Sequence, residues 1–131
     1  MRLDGRVPYV SKYVTAGDAP EAFAISPSGD IAVALLLGGD TILPTDHWAH
    51  DNPGEIVVFK ISKNDAVPVQ RIPVRGLPEG VAFSADGLYA YVSSFKNQEL
   101  MVFEVIGDSL VDTDVRVALP GTPASMRGRA R

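Results

Sequence analysis

The residues of this 131-residue chain with the most chemistry open to them are two glutamates and a short histidine-bearing stretch. Glu21 and Glu79 each follow a proline and lead into an apolar run, in Pro20-Glu21-Ala22-Phe23 and Pro78-Glu79-Gly80-Val81. Carboxylates in matched positions suit ligation of a divalent metal or general acid–base catalysis. They equally suit a structural role, satisfying backbone N–H groups at a strand entry or facing water, and their occurrence in both places favours that role. His47 and His50, the only histidines, lie in Gly38 to Gly54 with Asp46, Asp51 and Trp48, the only tryptophan. Imidazole with carboxylate suits zinc or manganese, so His47, His50, Asp46 and Asp51 are candidate ligands of a divalent metal. His47 or His50 could instead move a proton at a substrate carbonyl. The spacing is not the His-Glu-x-x-His of helical zinc sites. A surface loop that Trp48 packs onto the domain is the plainer reading of the same residues.

Other chemistries find no support. Ser26, Ser84, Ser93, Ser94 and Ser125 lack the Gly-x-Ser-x-Gly surroundings of a nucleophile elbow. No glycine-rich phosphate loop or dinucleotide fingerprint is present. The chain has no cysteine, which excludes disulfides and thiolate chemistry and leaves the compartment open, periplasmic and secreted included. A net charge of −4 without a basic stripe argues against a nucleic-acid partner. Arg127, Arg129 and Arg131 read as a solvated tail. The longest apolar run, Ile31 to Leu37, is far short of the roughly 20 residues that span a bilayer as a helix. Met1 to Gly5 lacks the apolar run of a signal peptide.

The elements that must position these residues are repeated. Pro20-Glu21-Ala22-Phe23-Ala24-Ile25-Ser26-Pro27-Ser28-Gly29 recurs as Pro78-Glu79-Gly80-Val81-Ala82-Phe83-Ser84-Ala85-Asp86-Gly87. Glu55-Ile56-Val57-Val58-Phe59 recurs as Glu99-Leu100-Met101-Val102-Phe103. The first offset exceeds the second because residues 38–54 are an insertion in the first copy. Gly121-Thr122-Pro123 restarts the Gly76-Leu77-Pro78 entry, and Asp4 to Gly17 resembles Asp108 to Gly121. The expected organisation is therefore the end of a repeat over 1–17, full copies over 18–75 and 76–120, and a further start over 121–131. Each copy predicts four short strands. The first ends in a Ser-x-x-Gly turn and the fourth falls near Pro68 to Val74 or Val111 to Leu119. No helical period is sustained, and an all-β fold follows. A four-strand unit of roughly 45 residues matches a β-propeller blade.

At these residues the chain resembles the lactonase-like and YVTN-repeat β-propellers. Pro78 to Gly87 resembles their inner strand and turn, and Tyr91-Val92-Ser93-Ser94-Phe95 the strand that follows. The Tyr-Val-Thr-Asn signature is absent, with Tyr13-Val14-Thr15-Ala16 a partial echo, so the broader label fits better. The resemblance implies a ring of seven blades, of which this chain supplies two, with Gly121 to Arg127 as a closing strand. It places Glu21 and Glu79 near the mouth of a central channel. It also implies a relationship to enzymes that hydrolyse sugar lactones and to non-catalytic binding propellers. The expected function is a C-terminal propeller segment that acts as scaffold or binding surface and is inactive alone. The alternatives are part of a lactone hydrolase completed by other blades, and a metal- or small-molecule-binding propeller without turnover. Expected partners are the remaining blades or a second copy of the chain, because exposed blade faces are apolar.

Overall fold

The computed structural model describes residues 10, 12–39 and 43–128. Asp4, Asp40, Arg129 and Arg131 lie outside them. Eight strands form two four-stranded antiparallel sheets, each in sequence order. The first holds β1 (Pro20–Ile25), β2 (Ile31–Leu36), β3 (Gly54–Ser62) and β4 (Asp65–Val74). The second holds β5 (Pro78–Phe83), β6 (Tyr89–Ser94), β7 (Glu99–Ile106) and β8 (Ser109–Ala118). This is the meander of a propeller blade, made twice.

Local chemistry explains the meander. Ser26 to Gly29 and Ser84 to Gly87 close equivalent turns, with Gly29 and Gly87 at φ of +81° and +76°, which glycine adopts without strain. The serines belong to those turns: Ser26 Oγ accepts from the Ile31 N–H and Ser84 Oγ from the Tyr89 N–H. β4 and β8 begin at Asp65 and Ser109, earlier than the expected starts near Pro68 and Val111. Pro68 lies within β4, where an outermost strand tolerates a missing N–H, and two-residue turns after Ser62 and Ile106 start both strands at once.

Alternation assigns the faces. Ile31, Val33, Leu35, Ile56 and Val58 of the first sheet meet Val81, Ala90, Val92, Met101, Phe103 and Leu110 of the second in one buried core. The other face of the first sheet buries Ala32, Ala34, Leu36, Val57 and Phe59, with Ala16 packed against them. Polar ties reinforce the outer part of the junction. The Gln70 side chain accepts from the Leu110 N–H at 2.8 Å and donates to the Leu110 carbonyl at 2.9 Å, as a peptide group would. Lys60 pairs with Asp108 at 3.0 Å. Gln70→Ala strands both Leu110 groups, and a destabilisation of about 1–3 kcal/mol is expected in urea unfolding.

The residues around Ser125 and Met126 run against β5 where Gly80 offers no side chain: a Cβ there would sit 2.8 Å from the Met126 nitrogen. This stretch has no strand assignment, unlike the closing strand expected for Gly121 to Arg127.

Candidate functional site

Antiparallel order sends the start of β1, the end of β2, the start of β3 and the end of β4 to one rim, and repeats this in the second sheet. Glu21, Glu79 and the insertion over 38–54 therefore share a rim. The serine-led turns occupy the opposite one.

Each glutamate is the extra residue of a β-bulge. Pro20 pairs with Leu36 and Ala22 with Leu35, skipping Glu21; Pro78 pairs with Ser94 and Gly80 with Ser93, skipping Glu79. A bulge frees its residue from the ladder and re-aims the side chain. Just before each proline the backbone is left-handed at a non-glycine residue, Ala19 at φ +50° and Leu77 at φ +64°. Such conformations cost on the order of 1–3 kcal/mol and persist only where the surroundings hold them. Here the Leu37 N–H donates to the Ala19 carbonyl and the Phe95 N–H to the Leu77 carbonyl, both at 3.0 Å.

The two carboxylates feel each other across the blade boundary. Glu79 is half-buried and Glu21 exposed. Burial first, and the negative charge of Glu21 second, raise the Glu79 pKa above the ordinary glutamate value of 4.5. A carboxyl raised in the fold favours folding at low pH, and that contribution is lost as pH rises through its raised value. Glu79→Gln should therefore raise the melting temperature at pH 7, with the gain vanishing below pH 4.5 where the wild-type carboxyl is protonated. Thermal melts across that range check the sign.

The insertion folds over the end of the first sheet. Turns link His47 N–H to the Pro44 carbonyl, His50 N–H to His47 and Asn52 N–H to Ala49, at 2.9, 2.9 and 3.0 Å. Its neck is closed by backbone at van der Waals range: a Cβ on Gly39 would lie 1.7 Å from the Ala49 oxygen. Gly39→Val cannot keep this neck, and hydrogen exchange over residues 43–53 is expected to accelerate at least tenfold while the strands stay protected.

Between insertion and sheet lies a cleft of about 650 Å³, whose lining includes Asp18, Leu36, Trp48, Ala49, Glu55 and Arg71. Glu55 and Arg71 pair at 2.5 Å, and Arg71 also donates to the Ala16 carbonyl at 2.6 Å. Trp48 does not pack the loop down: it is 84% exposed, while its neighbour Ala49 is buried. The Trp48 ring instead lies 5.6 Å from that of His47, also in the lining.

The histidines are held separately. The His47 Nδ1 accepts from the Ala49 N–H at 3.2 Å, while the His50 Nδ1 donates to the Leu43 carbonyl at 2.8 Å. Asp46 and Asp51 are exposed, and His50, Asp46 and Asp51 lie outside the cleft lining. Among the described residues, no three His, Asp or Glu side chains converge as a metal-binding group. Sequence reasoning overlooked Glu55 and Arg71 as cleft residues. Their signal was an acidic and a basic residue on adjacent strands, visible only once the β3–β4 register is known.

The architecture is that of neighbouring β-propeller blades, and comparison with solved structures finds the same fold in proteins named as lactonases. The chain is similar to a candidate 6-phosphogluconolactonase from Bacteroides fragilis, with a TM-score of 0.61 and 13% identity over 81% of this chain and 27% of that one. It is also similar to a candidate 6-phosphogluconolactonase from Bacteroides uniformis, at 0.60 and 15% over 76% and 26%. The periplasmic gluconolactonase of Pseudomonas aeruginosa gives 0.60 and 22% over 86% and 30%. The chain thus spans under a third of the length of each. No protein-family model and no curated protein sequence matches it.

Proposed function

We propose that this chain is a two-blade segment of a lactonase-like propeller, serving as scaffold and binding surface, and that alone it does not turn over sugar lactones. The fan of two sheets carries this reading, because their shared rim presents two adjacent carboxylates, Glu21 and Glu79, and a channel-mouth site draws on residues all around a ring. The test is hydrolysis of glucono-lactone by the purified chain. Turnover at the uncatalysed rate is expected, and a rate above it that disappears in Glu79→Gln would overturn the proposal.

A second reading is favoured by the bulged glutamates. A half-buried carboxyl whose pKa is raised, next to a second carboxylate, is the environment of an acid–base pair. In a longer protein with further blades, Glu79 would carry the proton, favoured there by burial first and by the charge of Glu21 second.

The partner proposed for the open faces is another blade or a second copy. Tyr89, Val111 and Val117 are exposed on the second sheet, opposite in sense to Phe23 and Ile25 on the first. Face-to-face stacking of copies follows the geometry already used between the two sheets. Sedimentation is expected to show concentration-dependent association that Val117→Lys weakens. A monomer at all concentrations would refute it.

A further inference from the structure

The cleft beneath the insertion carries more specific chemistry than the rim as a whole. We propose that it binds a neutral pyranose sugar, which stacks on Trp48 and hydrogen-bonds to the Glu55–Arg71 ion pair. This inference stands apart from the glutamate pair and from any hydrolase reading.

Size comes first. A volume of about 650 Å³ falls within the roughly 300–1,000 Å³ of small-molecule sites. The lining then selects the ligand. Leu36, Ala49 and the Trp48 ring offer apolar surface, and the indole, although it meets the His47 ring at 5.6 Å, is left 84% exposed as a large apolar face. In the same lining, Glu55 supplies acceptors and Arg71 donors, side by side and already oriented by their own pairing. Arg71 is fixed further by the Ala16 carbonyl. A ligand that matches this lining needs an apolar face and an edge of groups that donate and accept together. The C–H face and vicinal hydroxyls of a pyranose meet both needs.

Charge and desolvation exclude the nearest alternatives. A phosphorylated sugar would need an uncommitted cation, but the Arg71 charge is met by Glu55 and the lining adds Asp18. A flat aromatic ligand would cover Trp48 equally well. It would also shield the Glu55 carboxylate from water without returning a hydrogen bond, an unfavourable exchange.

Trp48 is the only tryptophan, so its emission reports directly on the cleft. The full chain should be titrated with glucose, galactose and mannose through the millimolar range, where a monosaccharide site of this size is expected to saturate. A saturable blue shift with at least one of them is expected, and glucose 6-phosphate should bind at least about tenfold more weakly. Calorimetry on Trp48→Ala and Glu55→Gln should show about tenfold or greater losses of affinity. Trp48 is exposed and Glu55→Gln preserves shape, so both should retain the wild-type circular dichroism spectrum. The proposal is overturned by no saturable response to any of the three sugars, by tighter binding of benzyl alcohol or glucose 6-phosphate, or by affinity unchanged in both variants.

Discussion

Phe103→Ala is expected to cost about 3–5 kcal/mol of stability, the range for removing a fully buried phenylalanine. Domains of this size are stable by only about 5–15 kcal/mol, so the variant should melt more than about 10 °C lower or fail to fold at ambient temperature. Phe103 has 0% exposure on β7 and stands directly opposite Ala90, whose small side chain leaves room for the ring. The ring belongs to the second sheet, yet its core neighbours include Ile31, Ile56 and Val58 of the first. Its loss therefore opens a cavity between blades that neither sheet can fill alone. One cooperative transition should shift as a whole, and a second, unshifted transition would show that the first sheet folds without the second. The control is Phe23→Ala on β1, where the ring is 61% exposed and a change within about 0.5 kcal/mol is expected. Similar losses in the two variants would refute the assigned faces.

The same phenylalanine shows why the architecture could be read from residues alone. Phe59 opposes Ala32 just as Phe103 opposes Ala90, so each copy places a large side chain over a small one at the same point of its sheet. Copies of such a unit, with matched turns at Ser26 to Gly29 and Ser84 to Gly87, leave little choice but consecutive antiparallel pairing. The sites were legible only in part. Glu21 and Glu79 could be singled out because they repeat, but their bulges depend on left-handed Ala19 and Leu77, residue types that carry no preference for that conformation. Trp48 invited a packing role by its size. Its exposure reflects the path of the insertion, which buries Ala49 instead, and no pattern within residues 38–54 encodes that path. The Glu55–Arg71 pair was hidden because it arises between strands, through a register that the bulge at Val58/Phe59 shifts.

Gly54 shows the repeat yielding to its neighbour, and its substitution is the second large effect. The second copy has Gln98 at this position, so Gly54→Gln is the change that repeat similarity would allow. It is nonetheless expected to destabilise by about 1–3 kcal/mol through overpacking. Gly54 is not among the residues with positive φ, so its backbone does not demand glycine. The obstacle is space. A Cβ here would lie 2.6 Å from the Leu36 carbonyl oxygen, 3.0 Å from that of Leu37 and 2.8 Å from the Pro78 ring. Two of these contacts are backbone, at the last residue of β2 and the residue just after it, and the third is the first residue of β5, one position before Glu79. Relief would have to part β2 from β3 or push the second inner strand outward. Because the clash comes from the Cβ itself, Gly54→Ala should already incur most of the loss, against the gain of about 0.4–1 kcal/mol that glycine-to-alanine changes give where the conformation is compatible. Denaturant unfolding of both variants decides the matter: a stabilised Gly54→Ala would mean that the blades do not meet at Pro78. Since Gly54 also ends the insertion, a displaced Pro78 should alter the Glu79 environment and the cleft together, which would couple the two candidate sites through one missing side chain.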